Sequence, residues 1–207
     1  MTPVTGGSVT KGRDEDLALA KALIVGDPDA FDAFVERFGP LIMNFGRRMC
    51  GQRDDAEEVL QETLLQAYLS VKELREPAGL KSWVYRVAAN KCLKMRRRGK
   101  HEPLRELSLE EILPEPREDG GPPRIADWSG VPLDRLLEGE LREKLEKAIL
   151  DLPKDFRIVL VLRDEEGFST REAAEILGIS ETLAKVRLHR ARLAVRKALA
   201  GYLGGGA

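Results

Sequence analysis

The sequence predicts an all-α protein built from two small helical domains joined by a flexible linker, the second domain containing a helix-turn-helix. Apolar residues recur at three- and four-residue spacing along two stretches of the chain, without strand-like alternation of useful length. Between the two stretches, residues 101–137 are acidic and interrupted by proline and glycine. In the second stretch, two helical patterns are separated by a very short connection.

Composition limits the class of protein. The 207 residues suffice for one ordinary domain or two small ones, and 43% hydrophobic residues is typical of a globular chain. The 34 Lys and Arg nearly balance the 35 Asp and Glu, so net charge neither predicts nor excludes a nucleic-acid partner. Cys50 and Cys92 lack a CxxC spacing, which suggests neither a disulfide framework nor a zinc site. Without a membrane-length apolar run or a signal-peptide core, we expect a cytoplasmic protein.

The first predicted domain covers residues 14–100, after a tail over 1–13 that we expect to be disordered. Its first helix ends before Gly26, and Asp27 is placed to cap the second helix. The pair Gly39 and Pro40 should kink or break this second helix, because proline removes a backbone donor and clashes with the preceding turn.

A third helix is predicted to begin at Asp54, whose side chain is placed to cap it. Acidic residues cluster in its first turn, where they favour the helix dipole. Physical chemistry alone therefore leaves two interpretations open, a solvated helix start and a binding surface. A di-iron site would need Glu-x-x-His pairs, which the sequence does not contain, so we expect no metal and no cofactor.

The fourth predicted helix, over 81–98, follows a loop at 74–80 and ends in a basic run from Lys91 to Lys100. The linker over 101–137 comes next, and its acidic, proline-rich composition cannot bury enough apolar surface to fold alone.

The second predicted domain covers 138–200, with a flexible tail over 201–207, and contains the helix-turn-helix. Ser169 and Glu172 form a capping box at one helix start, Gly178 is suited to the left-handed turn, and Ser180 can cap the next helix. That next helix has an apolar stripe, with basic side chains around the rest of it: Ala184, Leu188, Ala191 and Val195. A basic helix of this kind suits the major groove of DNA, although any basic amphipathic helix would share the pattern.

Several separate blocks of the sequence, in order, resemble the extracytoplasmic-function sigma factors, and the likeness extends over residues 14–199. The blocks are DPDAFDAFVERFGPLI (27–42), DDAEEVLQETLLQAY (54–68), SWVYRVAANKC (82–92), LPKDFRIVLVLRDEEGFSTREAAEILGIS (152–180) and KVRLHRARLAVR (185–196).

The resemblance implies a function for each block of the first domain, which in that family binds core RNA polymerase and opens the minus-10 promoter element. It places Asp55, Glu58, Gln61 and Glu62 on the surface that binds the polymerase. It places Trp83, Arg86 and Asn90 at the minus-10 DNA, with Arg96, Arg97 and Arg98 on upstream phosphates. The loop at 74–80 matches the family's pocket for an extruded base.

The resemblance likewise implies that the second domain binds the minus-35 element. Its candidate base contacts are Lys185, Val186, His189 and Arg190, with Arg187 and Arg192 placed for the DNA backbone. Leu183 and Val186 replace a hydroxyl and a polar residue of the common family pattern, and Val186 suits a thymine methyl instead. Lys94 stands where many relatives carry an acid or an amide.

The implied protein is a non-enzymatic initiation factor whose partners are core RNA polymerase, promoter DNA and an anti-sigma factor, in a stress or envelope-signal regulon. The linker resembles the family's connector toward the RNA exit path of the polymerase. Two other classes of protein fit part of the sequence. An autonomous operator-binding regulator explains the helix-turn-helix but not the first-domain blocks, and a helical metalloenzyme lacks the histidines it would need.

Overall fold

All regular structure in the described residues, 7–95 and 139–203 of a computed structural model, is helical. This confirms the predicted all-α class. These residues form two compact units, one over 7–95 and the other over 139–203. The predicted linker at 101–137 and the arginines at 96–98 lie outside the described residues. None of the described helices is long and apolar enough to cross a membrane.

The first unit consists of helices α1 (Gly7–Val25), α2 (Ala30–Cys50), α3 (Arg53–Ser70) and α4 (Leu80–Met95). Two 3-10 turns, Val71–Glu73 and Pro77–Gly79, connect α3 to α4. Aromatic side chains form much of the core, because large apolar surfaces contribute most when removed from water. The Phe45 and Tyr85 rings meet edge to face at 5.3 Å and join α2 to α4.

Helix α1 begins at Gly7, so the prediction of a disordered tail is wrong for residues 7–13. Arg37 of α2 explains part of this extension. Its Nε donates to Asp16 Oδ1 at 2.9 Å, and its Nη2 donates to the Gly12 carbonyl at 3.4 Å. A long-range side chain therefore stabilises turns that have weak helix propensity by themselves.

Helix α2 begins at Ala30 with Asp29 as its N-cap and no side-chain cap hydrogen bond, so the predicted capping by Asp27 is wrong. The Asp27 carboxylate instead accepts the backbone N–H of Asp29 at 3.0 Å, in the turn before the helix. The helix then continues through Pro40, and the predicted break there is wrong. Phe38 and Ile42, on either side of the proline, are buried, so core packing offsets the lost hydrogen bond. Gly39 also helps, because a residue without Cβ avoids the clash that disfavours helical backbone before proline.

Helix α3 begins one residue before the predicted start, and its N-cap is Gln52, without a side-chain cap hydrogen bond. The predicted capping by Asp54 is therefore wrong. Arg53 already lies in the first turn, where its Nε contacts Glu57 Oε1 at 2.7 Å. Close contact with α2 positions α3, since a Cβ added to Gly46 would lie 3.0 Å from the Cα of Ala56.

The second unit consists of α5 (Gly139–Leu150), α6 (Lys154–Leu160), α7 (Thr170–Leu177) and α8 (Glu181–Leu203). Helix α6 runs directly into a π-helical turn, Val161–Glu165. Helix α8 packs against α5, α6 and α7. It also extends to Leu203, so the predicted flexible tail is wrong for residues 201–203, and the buried Leu199 anchors the turn before them.

Candidate nucleic-acid and protein interfaces

The helix-turn-helix is formed by α7 and α8, and the hydrogen bonds of its caps confirm the predicted arrangement. Ser169 Oγ accepts the N–H of Glu172 at 3.2 Å, and the N–H of Ser169 donates to Glu172 Oε2 at 2.7 Å. Gly178 has φ of 65°, the left-handed conformation that ends α7. Ser180 Oγ accepts the N–H of Leu183 at 3.2 Å and starts α8.

The apolar stripe of α8 faces the core as predicted, since Ala184, Leu188, Ala191 and Val195 are all buried. The rotation of α8 is thereby fixed. Lys185 and His189 are exposed, Arg190 is partly exposed, and these three occupy the first half of the helix away from the stripe. The first half of α8 therefore presents nitrogen donors to the solvent.

Arg187 and Arg192 have acidic partners within the unit that sequence reasoning did not identify. Arg187 Nη2 lies 3.3 Å from Asp155 Oδ2 on α6. Arg192 contacts Asp164 in the π turn through two hydrogen bonds, of 2.9 and 2.6 Å. The hydrogen bond to Asp164 raises the pKa of the Arg192 guanidinium. These pairs connect α8 to α6 and the π turn. In the sequence the partners are far apart, and only their opposite charges indicate that they could pair.

Two further arginines stabilise the connections around α6. The buried Arg157 donates through Nη2 to the carbonyls of Leu150 and Leu152, the latter at 2.8 Å. Arg163 Nη1 donates to the carbonyl of Phe168, just before α7. Charged donors on backbone carbonyls form strong hydrogen bonds, so these arginines hold the turns that carry the helix-turn-helix.

The start of α8 also carries exposed apolar side chains. Leu183 and Val186 are each 39% exposed and lie three residues apart on the same face of the helix. Beside them, Lys185 Nζ pairs with Glu181 Oε1 at 2.8 Å. The hydrogen bond from Lys185 lowers the pKa of the Glu181 carboxyl.

The acidic surface predicted on α3 faces solvent over much of its length. Glu58, Gln61 and Glu62 are exposed, while Asp55 is half-buried. Lys91 of α4 lies between two of these acids, with its Nζ 2.9 Å from Glu58 Oε1 and 3.7 Å from Glu62 Oε2. Its side chain is only 16% exposed, so this lysine links α4 to the acidic surface.

Apolar side chains continue the same helix beyond its acids, a feature that sequence reasoning missed. Leu65, Tyr68 and Leu69 are 54%, 66% and 64% exposed. The Tyr68 ring meets Phe31 of α2 edge to face at 5.2 Å. Helical periodicity does indicate this exposure, because these residues lie outside the row of buried positions that includes Thr63. We call the exposed residues of α3 between Glu58 and Leu69 the acidic-apolar surface.

Helix α4 carries the predicted minus-10 contacts. Trp83 is half-buried, whereas Arg86 and Asn90, spaced four residues apart, are exposed on one face. Lys94 is exposed one turn beyond Asn90. The predicted loop before α4 contains the Pro77–Gly79 turn, and α4 itself begins at Leu80. The basic residues Arg96, Arg97 and Arg98 belong to the part of the chain that is not described.

A helix-turn-helix with an exposed basic side is the arrangement of a DNA-binding protein. Family comparison specifies the class. The model of sigma-70 region 2 matches residues 34–102, and that of sigma-70 region 4 matches 142–195.

Curated relatives are similar over nearly the full chain. The ECF RNA polymerase sigma factor SigM of Mycobacterium tuberculosis is 30% identical over 197 residues, covering 94% of this chain and 90% of the relative. SigW of Bacillus subtilis is 31% identical over 180 residues, covering 84% and 91%. The chain belongs to the ECF RNA polymerase sigma factors. It is therefore a transcription-initiation factor that directs core RNA polymerase to promoters, and it is not an enzyme.

Two solved structures share the fold. The chain resembles CnrH, solved with the cytosolic domain of CnrY, with a TM-score of 0.62 and 23% identity, covering 90% of this chain and 97% of CnrH. It resembles the sigma factor RpoE of Bartonella quintana, solved with the anti-sigma factor NepR, with a TM-score of 0.59 and 23% identity, covering 83% and 97%.

Proposed function

We propose that this sigma factor divides its work among three helices: α3 binds core RNA polymerase, α4 contacts and opens the minus-10 element, and α8 binds the minus-35 element. The observation that carries this proposal is the complete helix-turn-helix, whose two serine caps and left-handed glycine fix the start of α8. The proposed domains extend over 14–100 and 138–200, with a connector over 101–137.

At the minus-35 element, Lys185, Val186, His189 and Arg190 contact base edges, because they lie in the first half of a capped second helix. Arg187 and Arg192 contact the phosphate backbone. An arginine has five N–H donors, so the bidentate contact of Arg192 with Asp164 leaves donors for a phosphate. The carboxylate then holds the guanidinium in place, and less conformational entropy is lost on binding.

At the minus-10 element, Trp83, Arg86 and Asn90 contact the DNA, and Arg96, Arg97 and Arg98 bind phosphates upstream. Strand opening needs a pocket in which an extruded base is held by packing and hydrogen bonds, because these offset the loss of stacking. The turns between α3 and α4, over 74–80, contribute that pocket. Support comes from the exposed Arg86 and Asn90 beside a half-buried indole.

The acidic-apolar surface of α3 suits a protein partner. Its carboxylates, Glu58 and Glu62, would repel DNA phosphates, whereas exposed leucines next to them favour burial against a protein. Gln61 lies within this surface, and we include the half-buried Asp55, one turn nearer the start of α3. We assign it to core RNA polymerase, and the apolar residues Leu65 and Leu69 are added to the residues that the sequence predicted.

We propose further that the chain acts in the cytoplasm, in a stress or envelope-signal regulon, and that an anti-sigma factor inhibits it. The fold shared with RpoE, which was solved with an anti-sigma factor, supports this partner. No cofactor is included in the proposal.

Reconstitution tests the assignment of α3. Purified chain with sigma-free core polymerase should start transcripts at promoters recovered by genomic run-off transcription. Glu62→Lys should weaken core binding at least tenfold, because it reverses a charge at the centre of the surface. The matched control is Glu36→Lys on α2, an exposed acid outside the surface, which should bind core normally. DNA binding that needs no polymerase, together with no binding to core, would instead indicate an operator-binding regulator.

A further inference from the structure

An apolar pair at the start of α8 lies partly exposed on the surface of the second unit. Leu183 and Val186 are each 39% exposed, while Ala184 between them is fully buried. The buried alanine fixes the rotation of the helix, so the pair is directed away from the core. The Ser180 cap accepts the N–H of Leu183 at 3.2 Å, which holds this residue in the first turn.

The surroundings of the pair select the kind of partner. Lys185 and His189 are exposed beside it and Arg190 is partly exposed, so the apolar contact lies within a cationic surface. A cationic surface attracts DNA phosphates. Within the major groove, the apolar group that each strand offers at base edges is the C5 methyl of thymine. The first residues of a second helix in a helix-turn-helix are those that contact base edges.

We propose that Val186, with Leu183 beside it, contacts the C5 methyl of a thymine in the minus-35 element. This inference rests on the proposed binding of α8 to that element. Valine suits the role because a β-branched side chain has one strongly preferred rotamer in a helix, so little freedom is lost on contact. Specificity at this base then comes from burial of a methyl group.

Uracil in place of thymine tests the proposal, because it keeps every hydrogen-bonding edge and lacks only the methyl. Holoenzyme, assembled from core polymerase and the full chain, first selects its minus-35 element from random duplexes. Each thymine of that element is then replaced singly by deoxyuridine. At one or two positions the affinity should fall about three- to fivefold, the effect expected from removing one buried methyl group.

The variant Val186→Ser tests whether Val186 makes the contact with the methyl group. Val186→Ser should bind thymine and uracil duplexes equally at those positions, because the side chain that contacts the methyl group is gone. Val186 is 39% exposed, so urea unfolding is measured alongside to show that the variant remains folded. Arg190→Ala is the matched control: it should weaken both duplexes by the same factor and so preserve the preference for the methyl.

The outcomes separate the two proposals. If holoenzyme binds its element but no uracil substitution matters, the methyl contact is refuted and minus-35 binding stands. If the methyl preference persists in Val186→Ser, the contact belongs to another residue and the inference is again refuted. If holoenzyme selects no element at all, both the inference and the proposed function of α8 fail.

Discussion

Replacing Arg157 by methionine should make the second unit unfold locally far more often, while the stability of the first unit stays unchanged. Arg157 is 8% exposed, and its Nη2 donates to the carbonyls of both Leu150 and Leu152. These carbonyls end α5 and precede α6, against which α8 packs. Methionine keeps much of the apolar volume and removes the charged donor, so the variant isolates the hydrogen bonds.

The magnitude follows from the two contacts. A hydrogen bond from a charged donor contributes about 1.5–3 kcal/mol, and carbonyls at a turn recover part of this from water. Arg157→Met should therefore lower the opening free energy of the second unit by about 2–4 kcal/mol. Since each 1.4 kcal/mol is tenfold, protected amides there should exchange about 30- to 1,000-fold faster.

Hydrogen exchange measured by mass spectrometry on the full chain is the assay, because peptides of α2 and α3 act as an internal reference. Arg142→Met is the matched control. Arg142 is 76% exposed and pairs only with Glu146 one turn away among the contacts described, so its loss should change exchange little. Acceleration below tenfold in α5 and α6 for Arg157→Met would show that the buried donors contribute little, and the reasoning would be refuted.

Three other predictions concern packing, titration and DNA contacts. Gly46→Val should lower the free energy of unfolding of the first unit by about 1–3 kcal/mol, because the added carbons meet the backbone of α3, and an unchanged urea midpoint would contradict this. By NMR titration the pKa of Glu181 should lie below its ordinary value, and Lys185→Met should return it toward that value. The stabilising pair is present above the unfolded-state pKa of Glu181 and is lost as pH falls through the folded-state pKa. Arg190→Ala should cost about 1–3 kcal/mol and relax specificity at one minus-35 base, whereas Arg192→Ala should weaken binding to all sequences and reduce its salt dependence. Equal effects of the two arginine variants on specificity, measured by competition binding, would refute the assignment of base and backbone contacts.

Local signals allowed the second unit to be predicted closely. The helix-turn-helix depends on residues only a few positions apart: Ser169 with Glu172, Gly178, and Ser180 with the start of α8. Such caps act within one turn of the chain, so a sequence contains all the information they need.

Long-range contacts explain what the sequence did not reveal. The passage of α2 through Pro40 depends on core packing at Phe38 and Ile42, which is absent from any local pattern. The early start of α1 depends on Arg37, more than twenty residues away. Periodicity separates the two sides of α3 and so indicates that Leu65 and Leu69 are exposed, but it does not tell which exposed residues bind a partner.

The π turn at Val161–Glu165 ends the helix that begins at Lys154, and it is wider than an α-helical turn. Its wider spacing is seen in the N–H of Glu166, which donates to the carbonyl of Val161 at 3.0 Å. At the closer spacing of a regular α-helix, residue 164 would point in a different direction around the helix axis. Asp164 would then turn away from Arg192, and α8 would lose a bidentate anchor. The width of this turn is thus coupled to the charge at position 164, because it is from the wider turn that the acid reaches Arg192.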